Sequence, residues 1–402
     1  MTKRVVIIGT GHGGIQVAIS LREAGFEGTI TLISDEADLP YQKPPLSKGF
    51  LNGKQTIENL RFRNPSFYTE NNIQLVLNQL VIHIDLQHKA VLTRSNQVFH
   101  YDNLVFATGA RNRDLMAEGV DWEKTRYLRN LEDAQKLQSA LVEARKVTII
   151  GGGFIGLEIA AAAVELDKQV TVLEAQPRLM NRVLPPMLSD VFLQKHLEQG
   201  VDVRLNAQVS KICRNGKRQI NAVQLMDNQL IETDLLVVGI GVLPNDELAK
   251  SIGLACNNGI EVNEFLQTTD ETVYAIGDCA RYWNAFAGQK MRVESVQNAV
   301  DQAKCVAKNI MGERLAYHAV PWFWTNQYDL KLQMAGINLD FDHFVVRGDV
   351  STRKFSIFYY KNHKFIGADS LNRPADHLAA RRLLQAGISP TFEQVANIAF
   401  KL

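Results

Sequence analysis

The sequence predicts an α/β chain made of two copies of one strand–turn–helix–strand unit, followed by a smaller α+β domain. Three observations carry that prediction. A β-branched run ends in a glycine-rich turn near the start of the chain, the same pattern returns 142 residues later (Gly9 answered by Gly151), and the pattern changes beyond residue 320.

RVVIIG (4–9) is a short aliphatic run of the kind a strand needs when a parallel sheet buries it on both faces. GTGHGG follows, setting Gly9, Gly11 and Gly14 at G-x-G-x-x-G with His12 and Gly13 inside the loop. IQVAISLREAG (15–25) has helical composition and stops at Gly25, and TITLIS (29–34) reads as a second strand that ends at Asp35 and Glu36. Gly14 to Asp35 is 21 residues, close to the ~20 that a Rossmann-like dinucleotide-binding unit requires.

The second copy runs KVTIIGGGFIG, with Gly151, Gly153 and Gly156 in the motif and Phe154 and Ile155 between them. The helix GLEIAAAAVEL follows, and QVTVLE closes on Glu174. Downstream, YDNLVFATGA (101–110) parallels TDLLVVGIGV (233–242), aligning Asp102 with Asp234, Leu104 with Leu236 and Gly109 with Gly241. One G-x-G-x-x-G also describes an ordinary tight turn; two copies with matching strands, helices and acids mark two nucleotide sites. The first glycine of each permits the turn, the second lets backbone approach a pyrophosphate, and the third lets helix and strand pack closely. The helix N-terminus then offers free N–H groups and partial positive charge to phosphate. The copies differ at one point: Ser34 stands where Glu174 stands, which displaces the first ribose acid to Asp35 or Glu36.

Beyond residue 320, DHFVVRG, KFSIFYY and KFIGADS read as antiparallel strands, and a helix runs from Pro374 to Gly387. The aromatic stretch PWFWTNQYDL introduces this region; by composition Trp322, Phe323, Trp324 and Tyr328 read as core packing.

At 402 residues the chain has room for two to three domains at ~150 residues each. With 46% hydrophobic and 22% charged residues it is neither collagen-like nor disordered, and a net charge of +1 gives no reason to expect nucleic-acid or membrane-surface binding. Cys213, Cys256, Cys279 and Cys305 never approach C-x-x-C spacing, which excludes a zinc ribbon and a disulfide scaffold and fits a reducing cytoplasm. The opening basic–apolar stretch stops at Gly9, too soon for a signal peptide, and residues 147–166 contain four glycines and Glu158, a poor membrane span. The nine histidines show no ligand spacing, so no metal site is expected, and His12 reads as a loop residue whose backbone matters more than its ring. No G-x-S-x-G elbow occurs, and Gly53-Lys54-Gln55 lacks the hydroxyl residue of a P-loop.

The segments VVIIGTGHGG, YQKPPLSKGFL, LVFATGAR, RYLRNLEDA, VTIIGGGFIGLEIAA, VYAIGDCA, RVESVQNAVDQA and PWFWTNQYDLKLQMAG extend the pattern over the whole chain. Together they resemble the FAD-dependent, NADH-dependent ferredoxin reductases that serve Rieske oxygenases and bacterial cytochromes P450. That resemblance implies a glutathione-reductase-like arrangement: an FAD domain from 1–111 and 242–319, an inserted NAD domain at 112–241, and a C-terminal α+β domain at 320–402. It implies FAD contacts at Gly9, Gly11, His12, Gly13, Gly14, Asp35, Lys48, Val81, Arg129, Asp278 and Val296, with Thr268 upstream supporting Asp278. Ala107, Thr108, Gly109 and Gly277 join the cofactor set, and Gly151, Gly153, Phe154, Ile155, Gly156, Glu158 and Glu174 belong to the second nucleotide.

By the same resemblance, Lys48 and Glu158 pair beside the flavin, where a cation stabilises the charge that develops as hydride arrives. Trp324 completes the catalytic set on the side where electrons leave. Glu174 favours NADH by repelling a 2′-phosphate, with Arg178 and Arg182 close enough to soften that preference. The first cysteine is Cys213, so the cysteine pair of disulfide reductases is missing from the first unit and the electrons pass to an external acceptor. The implied partner is an acidic 2Fe–2S ferredoxin steered by Arg281, Arg292, Lys304 and Arg373, and the implied assembly is a monomer or weak dimer. A rubredoxin or monodehydroascorbate-type reductase, and a redox-sensing flavoprotein resembling apoptosis-inducing factor, are the alternatives.

Overall fold

Strand Arg4–Ile8 takes the central place in its sheet because Val5, Val6, Ile7 and Ile8 are all apolar and all buried. In the computed structural model, which describes residues 3–121, 124–217 and 219–402, it pairs in parallel with Thr29–Ile33 on one side and Asn103–Phe106 on the other. Met1 and Thr2 of the opening basic stretch lie outside the described residues. Val273–Ala275 and Ile73–Val76 complete a five-stranded parallel sheet. Full burial of each such aliphatic side chain contributes about 1.5–3 kcal/mol, and that burial holds the strands in register.

The second unit repeats the layout. Lys146–Ile150 sits between Gln169–Leu173 and Leu235–Val238, with Asp202–Arg204 at the edge, all parallel. The aligned aspartates act alike: Asp102 accepts the Arg4 backbone N–H at 2.7 Å, and Asp234 accepts that of Lys146 at 2.9 Å. Each therefore ties the start of its unit's central strand to the strand beside it. Both units also carry a three-stranded antiparallel sheet just before that later strand (Val81–Asp85, Ala90–Thr93 and Val98–His100; Val209–Arg214, Ile220–Leu225 and Leu230–Glu232). Where the chain leaves the first sheet and where it returns, Ala110–Asn112 and Val242–Pro244 pair antiparallel with one another.

The C-terminal region is a five-stranded antiparallel sheet in the order Trp322–Gln327, Leu330–Gly336, Lys364–Leu371, Lys354–Lys361, His343–Asp349. Helix Pro374–Ala386 packs on it and ends at Gly387, whose φ of +67° suits glycine. The three predicted strands and the helix are present. The aromatic stretch read as an introduction is itself a strand, joined to the next by a turn at Tyr328, which has a φ of +54°. No helix among the described residues is long and apolar enough to cross a membrane.

The first helix, His12–Glu23, starts three residues before the expected segment, because the glycine loop supplies its first turn with Gly11 as N-cap. It can lie this close to the sheet only without a side chain at Gly14: a Cβ there would fall 1.9 Å from the Gly9 carbonyl oxygen. Gly156 repeats the contact, its Cβ position lying 2.2 Å from the Gly151 oxygen. Gly14→Ala is expected to cost about 1–3 kcal/mol as the helix is forced off the strand end. Chemical denaturation of the variant measures this, and an unchanged midpoint would show that the loop yields freely.

Candidate functional site

Both glycine loops open onto one cavity of about 1510 Å³. Sites for a single small molecule usually measure 300–1,000 Å³, so the space suits two ligands lying against each other. Gly9, Gly11, His12 and Gly13 line one end, and Gly151, Gly153, Phe154 and Ile155 line the other. Gly14 and Gly156, expected as cofactor contacts, do not line it; they are spent on the helix–strand contacts described above.

Gly11 and Gly153 are the N-caps of helices His12–Glu23 and Phe154–Glu165, and neither helix has a side-chain cap. The first-turn N–H groups of both helices therefore lack a side-chain acceptor. A Cβ at either glycine would meet nothing within 4 Å, so the wall is open to a ligand there. Two uncapped helix ends facing one cavity are suited to two anionic pyrophosphates.

The acid after each second strand differs in availability. Glu36 is held by the Tyr41 hydroxyl and by Lys43 Nζ at 2.9 Å, whereas Asp35 is exposed on the cavity wall without an ion-pair or hydrogen-bond partner among the described residues. Of the two candidates, Asp35 is the one free to accept from a ligand. Glu174 lines the other end, accepting the Gly152 and Gln176 N–H groups at 2.7 and 2.8 Å, which fixes its carboxylate at the loop. Arg182 lines the cavity with no ion-pair partner among the described residues. Arg178 turns away to the Leu184 carbonyl and the Ser189 hydroxyl.

Between the two ends lies a buried carboxylate. Glu158, on helix Phe154–Glu165, is only 4% exposed and meets Lys48 Nζ at 2.6 Å. Lys48 follows the 3₁₀ turn Pro44–Ser47, whose paired prolines preset the backbone and bring Ser47 and Lys48 together onto the same acid. Ser47 Oγ donates to Glu158 Oε2 at 2.5 Å and Thr325 Oγ1 donates to Oε1 at 2.6 Å. The pair Lys48–Glu158 was expected; Ser47 and Thr325 were not. Both hydroxyls stand inside the segments that carried the resemblance, but nothing in their spacing to Glu158 marks them.

Further along the wall, Arg129 Nη2 bridges to Asp278 at 2.8 Å and its Nε donates to the Ala110 carbonyl at 2.7 Å. Val81, Ala107, Thr108, Gly109, Gly277 and Val296 also line the cavity. Thr268 does not; its hydroxyl closes the turn at Asp270. His12 lies edge-on to Phe62, and burial followed by the charge of Lys43 lowers its pKa to about 4, so its ring is neutral at pH 7.

Phe323 and Trp324 line the cavity from the C-terminal sheet, so the aromatic cluster is not wholly core. Trp324 lies 5.4 Å from Trp322, which carries the Arg381 guanidinium at 4.6 Å and touches His377. Among the proposed basic docking residues, Arg292 is corrected. Its side chain is 8% exposed, donating to the Asp278 carbonyl and pairing with Glu294, so it belongs to the cavity's support. Arg281 is engaged with Glu261 and Arg373 with Asp376, while Lys304 is exposed. All four cysteines are free, and the buried Cys279 thiol, its pKa raised by burial, rests against the Phe106 and Ile276 carbonyls. No group of three His, Cys, Asp or Glu side chains among the described residues could hold a metal.

Comparison with known proteins gives a consistent picture. The profile described as "Pyridine nucleotide-disulphide oxidoreductase" matches residues 3–303, and that described as "Reductase C-terminal" matches 322–402. The chain is 44% identical to rhodocoxin reductase of Rhodococcus erythropolis over 398 residues, covering 99% of this chain and 93% of that protein. It superposes with a TM-score of 0.96 on the ferredoxin reductase for the CYP199A2 system from Rhodopseudomonas palustris, at 42% identity and with 99% and 98% of the two chains covered. The reductase chain of a covalent putidaredoxin reductase–putidaredoxin complex gives 0.95 at 36% identity, covering 98% and 96%.

His377, behind Trp322, is 1% exposed and neither ring nitrogen has a hydrogen-bond partner. Burial, reinforced by Arg381, lowers its pKa from 6.5 to about 4. Below pH 6.5 the unfolded chain therefore takes up a proton that the native state refuses, and stability falls as pH drops toward 4, by up to about 3 kcal/mol. His377→Phe is expected to flatten that part of the stability–pH curve, read by urea denaturation between pH 4 and 7. An unchanged slope would mean that the native imidazole accepts the proton.

Proposed function

The chain belongs to the pyridine nucleotide-disulphide oxidoreductase family, and from that premise we propose that it is an FAD-containing, NADH-dependent reductase. It passes electrons one at a time to a 2Fe–2S ferredoxin that supplies a cytochrome P450 or a Rieske oxygenase. The observation that carries this reading is that two uncapped glycine loops face one cavity, with the Lys48–Glu158 pair between them. The ferredoxin and putidaredoxin systems named in the relatives support the choice of acceptor.

In this reading the first loop, with Asp35, Val81, Arg129, Asp278 and Val296, holds FAD, and the second loop with Glu174 holds NADH. A bound flavin accepts two electrons as hydride and releases them singly. The protein's share is placement and charge. Helix N-termini neutralise the pyrophosphates, Glu174 excludes a 2′-phosphate by repulsion, and Lys48 sets a positive charge beside the hydride acceptor. Trp324 covers the opposite edge, where an acidic ferredoxin approaches. No cysteine pair stands at this cavity among the described residues, and Cys279 is buried away from it, so the disulfide chemistry in the family's name has no agent here. Residues 1–111 with 242–319 form the FAD portion, 112–241 the NAD portion and 320–402 the cover, in a cytoplasmic monomer or weak dimer.

Purified protein is expected to be yellow, to release one FAD per chain on denaturation, and to drive ferredoxin-dependent cytochrome c reduction. It should favour NADH over NADPH by tenfold or more in kcat/KM, since one charged hydrogen bond contributes about 1.5–3 kcal/mol. Glu174→Ala should narrow that ratio. Colourless protein, or equal use of both nucleotides, overturns the assignment.

Lys48→Met is expected to slow anaerobic flavin reduction by NADH at least tenfold while leaving re-oxidation by ferricyanide within twofold. Stopped-flow absorbance near the flavin maximum reads both steps, and an unaltered reductive phase places the lysine outside the reaction.

A further inference from the structure

Strand Trp322–Gln327 presents two faces, as any strand does. Trp322 and Trp324 lie against each other on one of them, their rings tilted by 37°. On the other, Phe323 packs on Phe154 at 4.7 Å and Thr325 bonds Glu158. Phe154 and Glu158 are four apart on one helix face, so the match is metric: two strand residues rise ~6.8 Å and four helix residues ~6 Å. Gln327, next on the same face, meets His196 of helix Pro186–Glu198.

The hydrogen bonds along this face have one direction. Gln327 Oε1 can only accept, so His196 Nε2 carries the proton and donates at 2.9 Å. His196 is fully buried, and burial lowers its pKa, so the ring is neutral and Nδ1 is bare. That nitrogen receives the Tyr328 hydroxyl at 3.3 Å. Gln327 Nε2 donates to Thr325 Oγ1 at 3.4 Å, which leaves the Thr325 hydrogen for Glu158 Oε1 at 2.6 Å. Each link fixes the next, and the chain ends on the carboxylate whose other oxygen holds Ser47 and Lys48. Gln327 pairs with Leu330, so Tyr328 opens a two-residue hairpin turn, which requires its φ of +54° and sets its ring edge-on to His196.

We propose that Thr325, Gln327 and His196 are positioning residues for hydride transfer: they hold Oε1 of the Glu158 carboxylate so that Oε2, which also accepts from Ser47, keeps Lys48 aimed at the flavin. The proposal rests on the reading of the cavity given above and extends it to residues that touch neither nucleotide. It also makes the strand that carries Trp324 on one face the support for the reductive half-reaction on the other.

The test compares Thr325→Val, Thr325→Ser, Gln327→Leu and Lys48→Met as flavin-loaded proteins. Thr325→Val is expected to lower the saturating rate of flavin reduction by NADH about tenfold, equivalent to about 1.4 kcal/mol. The NADH dissociation constant should stay within twofold, and Thr325→Ser, which keeps the hydroxyl, should restore the rate. In crystals of Thr325→Val, Lys48 Nζ should lie beyond 4 Å from Glu158, against 2.6 Å now. Gln327→Leu should show a smaller loss in the same rate, and decides the matter if Thr325→Val fails to retain flavin. If Lys48→Met is slow while Thr325→Val and Gln327→Leu match the unaltered protein in rate, and the Lys48–Glu158 contact persists in crystals, the chain merely satisfies buried polar groups and the proposal falls. If Lys48→Met is also unimpaired, it is the reading of the cavity that fails.

Discussion

The architecture depends on backbone meeting backbone at two equivalent places. Where Gly14 lies over Gly9 and Gly156 over Gly151, no Cβ can be accommodated, and this absence lets each helix begin directly above the end of its central strand. Each N-terminus is thereby delivered to the cavity with its first-turn N–H groups uncapped. Move either helix outward by the width of a methyl group and the partial positive charge no longer sits at the wall. The parallel sheets, with their central strands apolar throughout, are the rigid base that makes such a small distance matter.

A second constraint follows from placing a charge between the two ends. Removing a carboxylate from water costs several kcal/mol unless its lone pairs are met. Glu158 is met by one cation and two hydroxyls, drawn from the 3₁₀ turn with the residue after it and from the C-terminal sheet. The two hydroxyls lie 111 and 167 residues away along the chain. The C-terminal sheet is therefore more than a cover over the cavity. It supplies part of the electrostatic environment, and its first strand cannot shift without disturbing the acid.

Much of this was legible in the sequence because the relevant signals are local. Strand, glycine loop, helix and acid fall within some thirty residues, and duplication of the whole pattern rules out coincidence. The three later strands of the C-terminal region alternate or run apolar over seven residues, and Pro374 and Gly387 bracket its helix. WFWTNQ was harder: three aromatics followed by three polar residues show no period of two in polarity, since the buried positions of its second half, Thr325 and Gln327, are themselves polar while Trp322 and Trp324 opposite are only half-buried. The small antiparallel sheets within each Rossmann-like unit were invisible for another reason: their strands are only three to six residues long, too short to show a period.

The sequence by itself determined the two glycine-loop units, their order, and many of the residues that line the cavity between them, because each depends on contacts between near neighbours. Only the tertiary structure decided which of those residues are available. Asp35 is free where Glu36 is held by Tyr41 and Lys43, Arg182 faces the cavity where Arg178 does not, and Arg292 is buried support where an exposed cation was expected. Ser47 and Thr325 converge on one acid, with Gln327 and His196 linked behind Thr325, from three distant segments. The physical reason is the same in each case. A hydrogen bond or ion pair forms at about 3 Å in space, and separation along the chain does not encode that distance.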